Sequence, residues 1–267
     1  MRIVVCVKHV PDIQSERSLG ADGRVVRDGG DGTLNELDEN AVEAALTLLE
    51  ANSGAGGTDE VVALTVGPDD AEDAVRRALQ MGVDTAVHVL DDDIAGSDVF
   101  GTAAVLAAAI RHLSGEDPFD LVLTGMAAID GMTAMLPAAL AAELDLRQLT
   151  LAAEVTISGG VVQIRRELDA ATEVLSAPLP ALVSVTDQAN DPRYPNFKGI
   201  MAARKKPVTV LSLADLVVDP ATVGTAGART QVLEAAARPE RTSRVLVTDD
   251  GTAGVQLAAY LVENKLV

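Results

Sequence analysis

The chain has 267 residues, 48% of them hydrophobic and 23% charged, which is enough apolar material for one large domain or one domain with an appendage. Asp and Glu outnumber Lys and Arg by 40 to 21, and the resulting net charge of −19 argues against a nucleic-acid-binding body, since phosphate contacts need clustered cations. The single cysteine, Cys6, excludes an internal disulfide framework, and no run approaches the ~18 apolar residues of a membrane span, so a soluble, cytoplasmic protein is expected.

The chain opens with the β-branched run Ile3-Val4-Val5-Cys6-Val7, too soon polar for a secretory signal and closed by Pro11-Asp12. Similar runs recur at 61–66, 85–90 and 119–124. Helical patterns lie between them: one from Asp38, placed to cap it; one after Pro68, ending at Gly82; one over 97–113; and one over about 133–144. Short apolar strands alternating with amphipathic helices predict α/β architecture, a doubly wound parallel sheet. With aromatics at 2%, the core must be built from Ala, Val and Leu.

Beyond residue 150 the pattern changes. LAAEVTI, the turn Ser158-Gly159-Gly160 and the alternating VVQIRREL predict an added antiparallel hairpin region, with further strands at 172–176 and 181–186. Residues 190–208, NDPRYPNFKGIMAARKKPV, then gather Tyr194, Phe197 and five cations into one proline-punctuated stretch. Residues 207–245 carry little amphipathic power, and a final helix is predicted over about 252–264. The expected organisation is a core over 1–187, a loop over 188–207 and an extended C-terminal arm over 208–267. An arm without its own core must bury against something else, which points to a partner.

Enzyme readings lack parts: there is no GxSxG elbow, HExxH, Walker A loop or strand-borne GxGxxG. His9, His88 and His112 read as structural, Cys6 reads as a buried hydrophobe rather than a nucleophile, and no metal site is expected. What remains is a binding geometry, because ligands of a doubly wound sheet sit beyond the carboxyl ends of its strands, at helix N-termini. Three such places exist, after Cys6, around Val66 and from Gly125 onward. The last reads GMAAIDGMTAMLPAAL, where Gly125 and Gly131 permit a tight turn, Asp130 holds it, and Thr133 opens a helix; an ordinary capped helix start fits these residues as well.

These residues carry a likeness to a family. The block VQIRRELDAATEVLSAPLPALVSVTDQANDPRYPNFKGIMAARKKP (162–207), with VKHVPD (7–12), LNELDENAVEAAL (34–46), RALQMGVD (77–84) and the strand and loop over 120–131, resembles the β subunit of electron-transfer flavoprotein over nearly the whole chain. The resemblance implies an electron-carrier subunit without a catalytic centre of its own. Its partner would be an α subunit holding the redox-active FAD, with electrons arriving from acyl-CoA and related dehydrogenases, as in fatty acid β-oxidation, and leaving to a membrane quinone oxidoreductase. This subunit would hold a structural AMP, and in bifurcating relatives a second FAD. Carried over by position, the nucleotide pocket would use Cys6, Asn35, Glu36, Leu37, Asp38 and Val66. The phosphate would sit on Gly125, Met126, Ala127, Ala128, Ile129, Asp130, Gly131, Met132, Thr133, Ala134, Met135 and Leu136. Relatives commonly read AIDGDTAQVG where this chain reads AIDGMTAMLP, so Met132 replaces an acid, Met135 an amide and Pro137 a glycine. The family's recognition loop matches 190–208, with Phe197 the residue inserted into client dehydrogenases and Tyr194, Ile200 and Met201 flanking it. The prolines and glycine there are expected to keep the loop extended. Two other readings of the α/β body stand beside this one: a nucleotide sensor similar to universal stress proteins, which would lack the region after residue 150, and an adenine-nucleotide hydrolase, which would need a glycine-rich loop where Lys8-His9-Val10-Pro11 stands.

Overall fold

The computed structural model describes residues 1–267 except 16, 28, 53–58, 237, 238 and 240–244. In chain order its elements are β1 (Arg2–Cys6), the short strands β2 (His9–Pro11) and β3 (Gly32–Leu34), α1 (Glu36–Asn52), β4 (Glu60–Val66), α2 (Glu72–Met81), β5 (Thr85–Val89) and α3 (Val99–Ser114). Then follow β6 (Leu121–Gly125), α4 (Leu136–Leu144), β7 (Arg147–Ala152), β8 (Glu154–Ser158), β9 (Val161–Leu168), β10 (Ala171–Pro178) and β11 (Ala181–Val185). The chain closes with α5 (Phe197–Ala203), β12 (Val208–Leu211), α6 (Gly224–Gly227) and α7 (Ala253–Glu263).

Seven strands form one sheet in the order β12-β5-β4-β1-β6-β11-β7, every neighbouring pair parallel. Side chains alternate between its faces, so Ile3 and Val5 join one core with α1 and α2, while Val4 and Cys6 join a second with α3 and α4. Both faces are covered, which is why the strands read as continuous apolar runs rather than alternating ones. This is the doubly wound α/β sheet expected. Chain order runs outward from β1 to β4 and β5 on one side and restarts at β6 on the other, so the topological switch point lies between β1 and β6.

The antiparallel region is a separate three-stranded sheet, β10-β9-β8. Its first turn carries Gly159 at φ 57° and Gly160 at φ 75°, the paired left-handed conformation a two-residue hairpin needs. LAAEVTI divides between the two sheets, β7 ending at Ala152 and β8 beginning at Glu154.

Three local expectations change. Asp38 lies inside the first turn of α1, its carboxylate turned to other work, and Asn35 precedes the helix. Helix α4 starts at Leu136, with Pro137 in its first turn, so Thr133 lies in the loop before it. The stretch after 207 is not uniformly an arm. Strand β12 pairs with β5 at the sheet edge, and Leu211, Leu213, Leu216 and Val223 are buried in the α3-side core. The chain forms two compact units, Met1–Leu233 and Glu234–Val267. In the second, α7 has no buried residue, and Val255, Leu257, Tyr260 and Val262 are all exposed. Among the described residues, no helix is long and apolar enough to cross a membrane.

Candidate functional site

The loop after β6 is held by side chains from the start of α1. The Asp38 carboxylate accepts from the Lys8 amide at 2.9 Å through one oxygen and from the Gly125 amide at 3.2 Å through the other, joining the ends of β1 and β6 across the switch point. Burial pushes this carboxyl up to about 7, although Asn35, the two amides and the Lys8 charge all pull the other way. Asn35 is fully buried and acts at two points: its Nδ2 donates to the Ala127 carbonyl at 3.0 Å, and its Oδ1 accepts from the Ile129 amide at 3.1 Å. An asparagine suits this place because its amide offers a donor and an acceptor together. Leu37 contributes backbone: its carbonyl oxygen would lie 2.7 Å from a Cβ placed on Gly125. Glu36 is exposed.

Asp130 closes the loop from the other side. Its side chain is wholly buried, yet it accepts from Lys8 Nζ at 2.9 and 3.1 Å and from Arg27 Nε at 2.6 Å. Burial alone would raise this carboxyl, but the Lys8 charge and the hydrogen bonds from Lys8 and Arg27 outweigh it and hold it below the usual carboxylate range. Arg17 Nη1 donates to the Ile129 carbonyl at 3.0 Å. Lys8, Arg17 and Arg27 were not among the residues carried over. Lys8 belongs to the VKHVPD motif, but nothing in the spacing of Arg17 and Arg27 links them to a loop a hundred residues away.

The half of the loop from Gly131 to Met135 is exposed. Met132 and Ala134 both adopt φ 50°, flanking Thr133, whereas Gly131 is not left-handed and has open space where a Cβ would go. The unusual backbone expected at Gly131 therefore sits one and three residues later. Left-handed residues alternating with others are the geometry of anion-binding backbone nests. The amides of Thr133, Ala134, Met135 and Leu136 have no acceptor among the described residues. Cys6 and Val66 end β1 and β4 on the α3 face, and strand alternation puts Thr124 on that face too. The Thr124 hydroxyl is buried without a partner, so an orphaned polar atom stands near the end of β6. Burial, with the Asp38 charge, pushes the Cys6 thiol up to about 12, which leaves it an unreactive packing group. His88 is also structural, its Nε2 donating to the Gly67 carbonyl at 2.9 Å.

The basic, aromatic stretch forms a second locus. It is not extended throughout, because Phe197–Ala203 folds as α5, capped by Asn196 Oδ1 accepting from the Gly199 amide at 2.9 Å. Asn-Phe-Lys-Gly is a helix start that the flanking prolines and glycine disguise. Tyr194 is 87% and Phe197 79% exposed; Met201 is exposed and Ile200 half-buried. The base beneath these rings is firmly tied. Arg193 bonds the carboxylates of Glu43 (2.7 and 3.1 Å) and Glu50 (2.7 and 3.2 Å), Asn40 and Asn190 exchange hydrogen bonds, and Lys206 Nζ donates to the Val83 carbonyl at 2.6 Å. Arg77, ion-paired with Glu39, lies 5.3 Å from the Tyr194 ring centroid. Under the loop is an open cleft of about 300 Å³ lined by Met81, Pro195, Gly199 and their neighbours.

The chain is similar in sequence to known proteins along nearly its whole length. Residues 22–216 match the family model described as the electron transfer flavoprotein domain. The chain is 44% identical over 266 residues to the electron transfer flavoprotein subunit beta of Mycobacterium bovis, covering 99% of each chain. It is 34% identical to the subunit of the same name from Megasphaera elsdenii, with both chains fully covered. It is also 34% identical to the caffeyl-CoA reductase-Etf complex subunit CarD of Acetobacterium woodii, covering 99% of this chain and 97% of that one.

Proposed function

The chain belongs to the electron transfer flavoprotein family as a β subunit, and from that membership we propose that it is one half of a heterodimer whose α subunit carries the redox-active FAD. Electrons come from acyl-CoA and related dehydrogenases and pass toward a membrane quinone oxidoreductase. This subunit supports that flavin from outside, holds a structural AMP, and presents the docking loop to clients.

The observation that carries the nucleotide reading is the Gly125–Leu136 loop. Asn35, Asp38 and Asp130 fix its first half, while its second half offers four amides without acceptors. A phosphate needs donors and a rigid cradle, and backbone amides supply both without side-chain acids or amides. The loss of polar side chains at Met132 and Met135 is therefore compatible with phosphate. Thr133 adds a hydroxyl to these amides, and Cys6, Val66 and the buried Thr124 hydroxyl wall the strand-end face. Bound AMP adds charge for those amides to neutralise and does no redox chemistry.

The docking reading rests on Tyr194 and Phe197, large rings held in water by a base of ion pairs. Burying such a ring in a partner's pocket contributes on the order of 1.5–3 kcal/mol, and the tied base means little ordering is left to oppose it. The exposed apolar side chains of α7 suit the α subunit.

A second reading is favoured by the 34% relative named for a caffeyl-CoA reductase-Etf complex: a bifurcating-type subunit holding its own FAD. Mass spectrometry of the nucleotides released on denaturing the protein purified with its α subunit separates the two. One AMP per heterodimer beside one FAD supports the first reading and two FAD the second. FAD alone at one per heterodimer overturns the nucleotide role of the loop.

A further inference from the structure

Leu90–Asp98, the turn between β5 and α3, acts as a rail for the chain between β12 and the end of the first unit. The Leu90 amide donates to the Leu211 carbonyl at 2.9 Å, and the Leu213 amide donates to Asp91 Oδ2 at 3.1 Å. Further along, the Gly224 amide donates to Ser97 Oγ at 2.7 Å. Gly224 sits at φ 64°, and a Cβ there would meet the Asp93 carbonyl oxygen at 2.3 Å, so only glycine lets the two backbones run this close.

The last tie is Asp98, whose two oxygens do different jobs. Oδ1 caps α3, accepting from the Phe100 and Gly101 amides, both at 3.0 Å. Oδ2 accepts from the Arg229 and Thr230 amides, both at 2.8 Å, and from Thr230 Oγ1 at 3.0 Å. The Arg229 guanidinium adds a contact 5.5 Å from the Phe100 ring centroid. Beyond it, Gln231 to Leu233 make no hydrogen bond among the described residues, and the second unit begins at Glu234. A helix cap needs one acceptor; three donors converging on the other oxygen are more than capping requires.

We infer that Asp98 is a latch that fixes where the C-terminal segment leaves the body, and so a positioning residue for assembly with the α subunit. This rests on the proposal that the exposed apolar side chains of that segment cover the α subunit. A departure point held in place lets the segment search a smaller volume for its partner surface, and so lowers the ordering cost of association.

Two variants separate the latch from the cap. Asp98→Asn keeps an Oδ1 acceptor for α3 but turns an amide NH₂ toward the Arg229 and Thr230 amides. Asp98→Ser keeps a capping hydroxyl too short to reach them. Hydrogen–deuterium exchange on the full-length chain is expected to accelerate on the order of tenfold or more at Arg229 and Thr230 in both variants, with the melting temperature and the exchange of Phe100–Gly101 unchanged. Titration of each full-length chain with purified α subunit is expected to give an association constant several-fold to tenfold lower than wild type. Unchanged exchange at 229–230 overturns the latch. Accelerated exchange with wild-type association overturns its positioning role. A wild-type chain that fails to bind the α subunit overturns the assembly reading, and the inference with it.

Discussion

At Gly125 a side chain has nowhere to go. A Cβ would lie 2.5 Å from Asp38 Oδ1, 2.7 Å from the Leu37 carbonyl oxygen and 2.8 Å from its carbon, two of which are backbone atoms that cannot swing away. Gly125→Ala is therefore expected to lower stability by roughly 1–3 kcal/mol and to loosen the loop from α1, read as a lower melting temperature and less nucleotide retained on purification. Gly131→Ala, with no atom within 4 Å and no left-handed backbone, is expected to leave both unchanged. Asp38 yields a second prediction at this scale. Its folded carboxyl is raised to about 7, whereas an unfolded one titrates near the usual ~3.9. Between those values the folded chain binds a proton that the unfolded chain does not. Asp38 thus stabilises most at acid pH, and that contribution is lost as pH rises through about 7. The melting temperature of the wild type should fall more between pH 5 and 8 than that of Asp38→Asn. Equal slopes would show that Asp38 keeps an ordinary carboxyl.

Among the elements, α1 does the most connecting. Its start holds the loop after β6 through Asp38 and the preceding Asn35, and the rest of the helix holds the 190–208 stretch through Asn40, Glu43 and Glu50. The alternation of acids and alanines in ELDENAVEAALTLLEAN is amphipathic helix in outline, but three of its polar residues face inward to partners beyond residue 120. Helix α5 presents Phe197 on this support. Phe197→Ala is expected to raise the apparent KM of a client dehydrogenase for the heterodimer by about 30- to 1,000-fold, the equivalent of 2–4 kcal/mol for a central interface aromatic. Because the ring is 79% exposed, the flavin spectrum and melting temperature should stay as in wild type. A lower melting temperature with an unchanged KM would assign the ring to packing instead. Lys205 is exposed, and its neutralisation should act on association rate and fade with salt. Lys206, tied to Val83, should instead affect stability.

For the whole molecule, the consequential boundary is the one after Leu233. A cut at 207 would remove edge strand β12 and the buried Leu211, Leu213, Leu216 and Val223, opening the α3-side core. Ending the chain at Leu233 leaves both cores whole. The truncated chain is expected to keep its melting temperature and circular dichroism but to lose co-purification with the α subunit. Recovery of the complex at wild-type yield would show that residues 234–267 are dispensable for assembly.

What the sequence determined by itself was the periodic part: a doubly wound α/β sheet, the hairpin at Ser158-Gly159-Gly160, and a family whose signature block runs over 162–207. Those features are local, because burial on both faces makes a strand uniformly apolar and a left-handed turn selects glycine. That a glycine-bearing loop follows the strand ending at Gly125 was legible for the same reason, whereas the strand order that puts it at the switch point was not. The tertiary structure alone decided which polar residues are spoken for. Asp38 reads as a helix cap and is a buried bridge between two strand ends; Arg17 and Arg27 carry no signal in the sequence and grip the loop at 129–130. Val208–Leu211 reads as part of a weak tail and completes the sheet edge. Apart from Lys8, 30 residues from Asp38, the partners lie some 87 to more than 110 residues away. A contact over that distance leaves no period in the sequence, and only the folded chain brings its two ends together.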